Sequence, residues 1–363
     1  MASSKESLLI RSDAGLYCPQ GDFFIDPLKP VDKALVTHAH SDHARSGSRQ
    51  YLTAAEGKHV MRSRLGSKAM IETIAYGERC NIGGVNVSFH SAGHVLGSAQ
   101  IRLEYRGQIW VVSGDYKTKY DPTCSGFEQL QAHCFITEST FGLPIYRWPS
   151  SESVASEINS WWAENQSEGR CSVVFAYSFG KAQRVMSMLD ESIGPIYVHP
   201  AVDELNKQYI ASGCKLPSYG AIGEKSAGNG ALLGLSLFPK AMVIAPPSVF
   251  GSDWCNQLGD FSPAFASGWM RIRANRKRQA MERGFIVSDH ADWDELNQVI
   301  QESGAQEIIV HHGYVGPLVR DLRRRGFNAS SFASRGRDLS TLSGKSPKLD
   351  RERSNSDWLQ EDS

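Results

Sequence analysis

Short apolar runs separated by turn residues dominate the first 150 residues of the chain. Five of these runs are bounded by glycine, proline, aspartate or asparagine, which is typical of β-strands. They cover Phe23–Ile25, Ala34–Val36, Val85–Phe89, Ala99–Leu103 and Gln108–Val112. Several of them lead into a histidine or an aspartate, at His38, His90 and Asp115. Polar residues at strand ends are a common way to present a functional site on a rigid scaffold.

From about residue 150 the pattern alternates between helical and extended periods. Ser153–Ala163 carries apolar residues at helical spacing and is predicted to form a helix. Further runs predict a helix at Lys181–Leu189 and strands at Ser172–Ala176, Ile196–Val198 and Ala241–Ala245. This alternation predicts a small α/β unit with parallel strands.

Strand-like runs resume at Gly284–Val287 and Glu307–Val310. The order of the three parts therefore indicates that the α/β unit is inserted into the strand-rich part, and is not a tandem domain. A chain of 363 residues is long enough for two domains or for one domain with an insertion. Residues 334–363 contain few large apolar side chains and many serine and charged residues, which predicts a disordered tail.

Composition narrows the class of protein. The formal net charge is zero and 41% of the residues are hydrophobic, which is ordinary for a globular protein. The seven cysteines include no C-x-x-C pair, which argues against a disulfide framework and against a cysteine zinc site. The N-terminus lacks the apolar core of a signal peptide, and no apolar run approaches the length of a membrane span. We therefore expect a soluble cytoplasmic protein with no membrane partner.

The most informative stretch is Thr37–His43, which contains three imidazoles and a carboxylate. In an extended segment residues i and i+2 share a face, so His38 and His40 can point the same way. The turn that follows can bring Asp42 and His43 back towards the same place. Neutral imidazole and carboxylate are ligands that divalent metals choose. The alternative interpretation is a group of unrelated surface histidines.

Three further places offer ligands of the same kind. His94 lies in a glycine-bounded turn between two predicted strands, Asp115 follows a strand, and His311 and His312 follow a later strand. A single histidine at a strand end is more often a hydrogen-bonded structural residue than a ligand. Together with Thr37–His43, these residues predict a metal centre.

These motifs resemble those of the metallo-β-lactamase superfold. The resemblance implies an α/β protein of the αββα sandwich type with two divalent metal ions, Zn²⁺ by default and Mn²⁺ as the alternative. It implies that the first ion is held by His38, His40 and His94. The second ion is held by Asp42, His43 and His312, and Asp115 bridges the two ions. His311 is the weaker candidate, because the histidine directly before glycine matches the motif.

About 150 residues separate Glu138 from His290, and a small-molecule hydrolase of this superfold needs no such insertion. Together with Ile136–Phe141, Phe285–Asp292 and Val310–Gly313, this arrangement resembles the β-CASP nucleases. The resemblance implies that residues 1–150 begin the metallo-β-lactamase domain, 151–275 form the inserted β-CASP domain and 276–333 return to the first domain.

The same resemblance implies catalytic roles for Asp42, Glu138 and His290. His290 is the expected general acid that protonates the leaving 3′-oxygen, and Glu138 orients and charge-stabilises it. A carboxylate partner raises the pKa of an imidazole, which suits an acid that works near pH 7. The alternatives are an exposed carboxylate at a strand end for Glu138 and a helix N-terminal residue for His290.

Tyr177–Arg184 lies between a predicted strand and a predicted helix and resembles the β-CASP loop that holds a substrate phosphate. Backbone N–H groups at a helix start bind phosphate, and basic side chains add charge. The alternative is a glycine-containing turn with a solvated lysine. The residues assigned to phosphate binding are Ser178, Gly180, Lys181, Arg184 and Ser288.

Two basic runs stand out in a chain of zero net charge. They could track a phosphate backbone, and the alternative is a solvated helix face. The first comprises Arg271, Arg273, Arg276, Lys277, Arg278 and Arg283, and the second comprises Arg320, Arg323, Arg324 and Arg325.

Longer stretches, among them Leu16–Pro19, Thr137–Trp148 and Ser288–Trp293, resemble the bacterial ligase-associated DNA exonucleases. This resemblance covers about residues 7–330. It implies a DNA substrate, a role in trimming ends in DNA repair, and an ATP-dependent DNA ligase and a helicase as partners.

Three alternatives to this function stay open. His312 is a histidine, as in RNA-processing members of the family, whereas DNA-repair members of the eukaryotic branch carry valine; an RNA-processing nuclease is therefore the first alternative. A non-catalytic nucleic-acid-binding scaffold is the second, although every expected ligand is present. A thioester or lactam hydrolase is the third, and it leaves the insertion unexplained.

Overall fold

A computed structural model of the chain describes residues 7–223, 240–272 and 282–335. These residues form a mixed α/β structure with three β-sheets, which confirms the α/β class. They divide into two compact units. The first contains the described residues of Met1–Tyr120, Cys124–Ile145 and His290–Glu361, and the second those of Asp121–Thr123 and Tyr146–Asp289.

The main boundaries of the units fall at 145/146 and 289/290. The domain boundaries predicted from the sequence are 150/151 and 275/276. The strand Arg283–Phe285 lies beyond the second of these and pairs within the second unit. Whether the two units are the two expected domains stays a prediction. Three segments lie outside the described residues: 224–239, 273–281, which holds most of the first basic run, and 336–363, which is most of the expected tail 334–363.

The first unit contains two sheets. The first sheet has six strands in chain order, antiparallel from β1 to β3 and parallel from β3 to β6. Its strands are β1 Ile10–Ser12, β2 Gly15–Cys18, β3 Phe23–Ile25, β4 Lys33–Leu35, β5 Gln50–Ala54 and β6 Ile71–Ile74.

The second sheet of this unit has seven strands, and its two latest strands in the chain lie at one end. Its strands are β7 Arg79–Ile82, β8 Val85–Ser91, β9 Ala99–Tyr105, β10 Gln108–Val112, β11 Cys134–Ser139, β18 Glu307–Gly313 and β19 Ala329–Ser331. The order is β19-β18-β11-β10-β9-β8-β7. Because β10, β11 and β18 run parallel, the residues after each of them meet at one edge of the sheet.

Side chains point alternately to the two faces of each strand, and this explains how the layers pack. In β8, Val85, Val87 and Phe89 are fully buried and join side chains of the first sheet, such as Phe23 and Ile25, in one hydrophobic core. The opposite face of the second sheet is covered by two amphipathic helices, α6 Trp293–Glu302 and α7 Val315–Arg324. The unit also contains α1 Lys58–Leu65 and α8 Phe332–Arg335.

The second unit contains one sheet whose six strands all run parallel, as the sequence predicted for this part of the chain. In the order β14-β13-β15-β12-β16-β17, the strands are β14 Gly220–Ala221, β13 Ile196–Val198, β15 Met242–Ala245, β12 Cys171–Phe175, β16 Phe261–Ala266 and β17 Arg283–Phe285. The helices are α2 Ser151–Ser167, α3 Lys181–Met186, α4 Pro200–Ala211 and α5 Asp253–Asn256. Among the described helices of either unit, none is long and apolar enough to cross a bilayer.

Candidate metal centre

The loop after β4 is pinned at its start by a carboxylate. The Thr37 N–H donates to Asp26 Oδ1 at 2.8 Å, and the Thr37 hydroxyl donates to Asp26 Oδ2 at 2.6 Å. The Ala99 N–H, in turn, donates to the Thr37 carbonyl at 2.8 Å. The loop then tightens into a turn, in which the His43 N–H donates to the His40 carbonyl at 3.1 Å. This fixes the backbone that carries His38, His40, Asp42 and His43.

Three imidazole nitrogens of the first unit converge on one point. His38 Nε2 lies 3.0 Å from His40 Nδ1, and His94 Nε2 lies 3.1 Å from the same atom. Asp115 Oδ2 lies 3.7 Å from His38 Nε2 and 4.0 Å from His94 Nε2. Ligand atoms of these four residues all lie within 4.8 Å of one another.

This donor set fits a metal ion. A tetrahedral ion with metal–nitrogen distances of about 2.05 Å holds two ligand nitrogens about 3.3 Å apart, close to the observed separations. His38 and His94 are each only 1% exposed, so water does not screen these nitrogens from one another. Burial, together with neighbouring imidazoles, holds the pKa of His38 well below its usual range, which favours the neutral form that binds metal.

The turn that carries His94 is held by a serine hydroxyl. The backbone N–H groups of His94 and Val95 both donate to Ser98 Oγ, at 3.1 and 3.2 Å. Gly93 has a φ of 69°, and a Cβ atom there would lie 2.3 Å from the Lys117 carbonyl oxygen. The glycine is therefore required by both the backbone conformation and the space available.

The second expected set of ligands gathers around His43. Its Nε2 lies 3.5 Å from Asp42 Oδ2 and 3.5 Å from Asp115 Oδ2, so Asp115 faces both groups of histidines. The ring centres of His43 and His312 are 6.2 Å apart. Burial disfavours the charged form of His43, yet the carboxylates of Asp42, Asp115 and Asp26 raise its pKa well above the usual range. Burial alone would raise the pKa of Asp115, but the imidazoles around it hold that pKa well below the usual range.

Asp26 is a part of the centre to which the sequence analysis gave no role. Its Oδ2 lies 2.7 Å from His43 Nδ1, and its carboxylate also accepts both hydrogen bonds from Thr37. A carboxylate behind a ligating imidazole fixes its orientation and strengthens it as a ligand. The available signal was a carboxylate that directly follows the predicted strand Phe23–Ile25.

Glu138 and His290 form a pair beside this centre. His290 Nδ1 lies 3.0 Å from Glu138 Oε2, and Glu138, which is 4% exposed, accepts a hydrogen bond from the Tyr116 N–H at 2.7 Å. The His290 ring centre is 4.6 Å from that of His94. Ligand atoms of Asp115, Glu138 and His290 lie within 4.8 Å of one another. The pair thus shares a carboxylate with the imidazole cluster.

Glu295, a buried residue of α6, ties together the two loops that carry Asp115 and His290. Its Oε1 accepts hydrogen bonds from the Thr118 hydroxyl at 2.6 Å and from the Lys119 N–H at 2.9 Å. Its Oε2 accepts one from the Asp292 N–H at 2.9 Å, in a capping box at the start of the helix. No sequence motif singled out this residue.

His312 lies at the end of β18 in a left-handed backbone conformation, with a φ of 66°. The Ser139 hydroxyl donates to its carbonyl oxygen. The next residue, Gly313, also has a positive φ, and a Cβ atom there would lie 2.3 Å from the Ser139 carbonyl oxygen. A histidine in this conformation is uncommon and marks positions that the surrounding structure must hold.

Several curated proteins are similar to this chain in amino-acid sequence. A protein of Opitutus terrae named "Probable DNA ligase" is 28% identical over 323 residues, which cover 88% of this chain and 30% of that protein. The "Transcription termination factor FttA" of Methanosarcina mazei is 27% identical over 49% of this chain and 33% of its own length. The "Endoribonuclease YSH1" of Eremothecium gossypii is 29% identical over 33% of this chain and 16% of its own length. The chain thus spans about a third or less of these curated relatives.

Membership of the metallo-β-lactamase/β-CASP family stays a proposal for this chain, because these matches lie below 30% identity. No protein-family model matches the chain. A crystal structure of a protein of unknown function from Enterococcus faecalis shares the fold, with a TM-score of 0.56 over 82% of this chain and 78% of that chain at 14% identity. The His/Asp cluster itself offers ligand atoms that could hold a divalent metal ion.

The loop that resembles the β-CASP phosphate loop lies in the second unit, between β12 and α3. Lys181 Nζ lies 3.0 Å from Asp289 Oδ1, and Arg184, which is 4% exposed, pairs with Asp121 and donates to the Ser288 carbonyl. The Gly180 N–H donates to Gln183 Oε1 at 2.8 Å. Both cations and this N–H group are thus engaged within the unit. The Gln183 side chain also donates to the Ser178 carbonyl. The assignment of Ser178, Gly180, Lys181, Arg184 and Ser288 to phosphate binding stays a prediction.

Proposed function

We propose that the chain is a metal-dependent nuclease that hydrolyses phosphodiester bonds of DNA, as an exonuclease that trims ends in DNA repair. The observation that carries the proposal is the convergence of His38, His40 and His94 with Asp115, directly beside the Glu138–His290 pair. The first cluster offers the ligands of a metal centre. The second offers a proton donor within reach of the same place.

Seven residues are assigned to metal binding in this proposal. His38, His40, His94, Asp42, His43, His312 and Asp115 are the proposed metal ligands. Two divalent metal ions, when bound there, supply charge stabilisation and an activated water. The proposed metal is Zn²⁺, with Mn²⁺ as the alternative.

His290 is the proposed general acid. It holds a proton on the nitrogen that faces the leaving 3′-oxygen, while Nδ1 stays with the Glu138 carboxylate. Glu138 is itself fixed by the Tyr116 N–H, so it orients the imidazole and stabilises its charged form. Asp26 plays the same orienting part for His43.

The choice of DNA rests on one relative and on sequence resemblance. The match to the protein named "Probable DNA ligase" covers 88% of this chain, whereas the matches to proteins named endoribonuclease cover about a third of it. This supports a role next to DNA ligation, with an ATP-dependent DNA ligase and a helicase as proposed partners. The endoribonuclease relatives and His312 favour the second candidate, an RNA-processing nuclease with the same centre.

A cleavage assay on matched DNA and RNA oligonucleotides tests the proposal. The substrates are single strands of the same sequence labelled at the 5′ or 3′ end, and the protein is reconstituted with Zn²⁺ or Mn²⁺. Stepwise release of mononucleotides from DNA is expected for the wild type. Asp42→Ala should abolish it, whereas Asp13→Ala, which removes an exposed carboxylate of the first hairpin, should not.

Each other outcome redirects the proposal. Cleavage of RNA alone would overturn the DNA assignment and establish the second candidate. No cleavage of either polymer by a fully metallated protein would overturn the nuclease function. It would leave a nucleic-acid-binding scaffold.

A further inference from the structure

The exposed face of α7 carries a concentration of positive charge. Four arginines and one aspartate lie between residues 315 and 325, in a chain whose formal net charge is zero. The helix buries Leu318, Val319 and Leu322 against the second sheet. At 100° per residue, Pro317, Arg320 and Arg324 then fall on the opposite side, and Arg323 lies at its edge. They line a shallow depression of about 420 Å³.

The charge of this arginine face is only partly neutralised within the unit. Asp321 contacts Arg324 at 3.3 Å and Arg325 at 3.5 Å, and Arg323 donates to the Ala329 carbonyl, which carries no charge. Arg320 is exposed. Within the part of the chain that the structure describes, the Asp321 carboxylate contacts two of the four guanidinium groups. Cations in the last turn of a helix do interact favourably with its dipole, but this effect is worth only about 0.3–1 kcal/mol each and does not require four of them.

The helix begins next to the metal centre. His312 ends the segment of β18 that reaches the centre, and α7 starts three residues later at Val315. With a rise of 1.5 Å per residue, Arg320 lies about 7.5 Å and Arg324 about 13.5 Å along the helix from its first residue. One strand of a nucleic acid carries a phosphate about every 3.4 Å along its axis. The stretch of α7 from its first residue to Arg324 is therefore as long as about four nucleotides of a strand that runs along it.

We propose that the face formed by Pro317, Arg320, Arg323 and Arg324 binds the phosphate backbone of the substrate strand outside the scissile bond. Guanidinium groups match phosphate oxygens with paired N–H donors. Four helical residues advance about 6 Å, so Arg320 and Arg324 can each contact a different phosphate. The contact carries no base information, because it involves only the backbone. This inference rests on the proposed nuclease function, and it adds the surface by which that function holds a polymer.

The test separates this surface from the catalytic centre. Binding of a fluorescent 20-nucleotide DNA strand to the metal-loaded Arg320→Gln/Arg324→Gln protein is measured by anisotropy from 50 to 300 mM salt. Loss of two phosphate contacts should lower the slope of log K against log salt concentration by about 1.4. Hydrolysis of the p-nitrophenyl ester of thymidine monophosphate, which is too short to reach α7, should stay within about twofold of the wild type.

Two further variants serve as controls. Arg79→Gln removes an exposed arginine from β7, at the opposite edge of the same sheet, and should leave the slope unchanged. Arg320→Lys/Arg324→Lys keeps the charge and should restore most of the slope. A thermal melt of each variant confirms that it is folded.

An unchanged slope in the folded Gln variant would overturn the proposal, and so would an equal loss in Arg79→Gln. A large loss of ester hydrolysis in the Gln variant would also overturn it, because the arginines would then act at the centre. If the wild type itself fails to hydrolyse the ester or any DNA, the nuclease function fails. The salt dependence of binding still tests the surface in that case.

Discussion

The left-handed conformation of His312 shows how much the backbone is specialised around the metal centre. A non-glycine residue at a φ of 66° costs on the order of 1 kcal/mol relative to its usual conformations. Asp26, which supports His43 from behind, also has a positive φ, of 44°. Both residues are held by hydrogen bonds from neighbouring side chains, from Ser139 and Thr37. Strain of this kind is retained where a side chain must point in one direction.

Replacement of His290 by alanine should separate chemistry from metal binding. Its imidazole pairs with Glu138 and lies near His94 without belonging to the converging group of His38, His40 and His94. Loss of a general acid is expected to lower the turnover number by about 10²–10⁴-fold. Metal content, measured by mass spectrometry, should equal that of the wild type. His59→Ala, at an exposed position of α1, is the matched control. Loss of metal from His290→Ala would show that His290 is a ligand.

Cys171 should be chemically silent in the native protein. It is fully buried in β12, and burial raises the pKa of its thiol to about 12. Since the thiolate is the reactive form, only about one molecule in 10⁴ is ionised there at pH 8. Iodoacetamide at pH 8 followed by peptide mass spectrometry should find Cys171 unmodified, and modified once guanidinium is added. The half-buried Cys214 is the comparison. Rapid native modification of Cys171 would show that β12 opens easily.

At the scale of single residues, the proposed ligands were found in the sequence because each follows a strand-like run, and their role as ligands stays a prediction. Asp26 also follows such a run, but its contact with His43 was not predicted, because that contact depends on the register of β3 against β4. The pairing of Ile25 with Leu35 brings Asp26 next to Thr37, and no local pattern encodes that register. The ion pair between Arg184 and Asp121 was not predicted either, because Asp121 lies 63 residues earlier in the chain.

Helix α6 both packs on the second sheet and holds two loops that carry residues of the candidate site. Its buried face packs on the second sheet through Leu296, Val299 and Ile300. Its first turn carries Glu295, which binds the loops after Asp115 and around Asp292. One element therefore positions the loops that carry both Asp115 and His290.

Loss of the Glu295 carboxylate should disturb both loops together. Glu295→Ala leaves the N–H groups of Lys119 and Asp292 without their acceptor, at a cost of about 1–3 kcal/mol each where they stay buried. We expect a lower melting temperature and a lower turnover number, with metal still bound. The exposed Glu302→Gln on the same helix should change neither. Unchanged turnover in a destabilised Glu295→Ala protein would limit Glu295 to a structural role.

At the scale of elements, the strands β3, β10 and β13 have the bounds that the sequence predicted, because turn residues delimit each of them. β16 was not predicted, since Pro263 lies inside it and proline argues against a strand. The structure accommodates this proline because β17 pairs with β16 only from Ala264 onward. α4 was not predicted either; it begins with Pro200 at its first turn, capped by the His199 side chain.

For the molecule as a whole, the pattern changes at about residue 150 and changes back later, which predicts an inserted domain, and this domain organisation stays a prediction. The pattern does not define the return point, since β17 is as apolar as the strands of either unit. Its membership of the second unit is decided by pairing with β16. The roles of the two units in catalysis stay predictions that the cleavage assays test.

Truncation after Arg335 should leave cleavage of a short oligonucleotide within about twofold of the wild type. Every proposed metal ligand and catalytic residue lies at or before His312, and α7 ends at Arg324. The measurement is the turnover number of chain 1–335 beside that of the full chain, with equal metal content. A large loss would mean that residues 336–363 contribute to the site or to the stability of the fold.

The position of β18 between β11 and β19 has a consequence for synthesis of the protein. The nascent chain contains His38, His40, His94 and Asp115 early, but the strand that ends at His312 comes about 170 residues after its partner β11. At about 5–20 residues per second, translation takes roughly 10–35 seconds to cross that interval. During this time one edge of β11 has no strand to pair with and the second sheet is incomplete. His312, the last of the proposed metal ligands, therefore joins the other ligands only after β18 has been made.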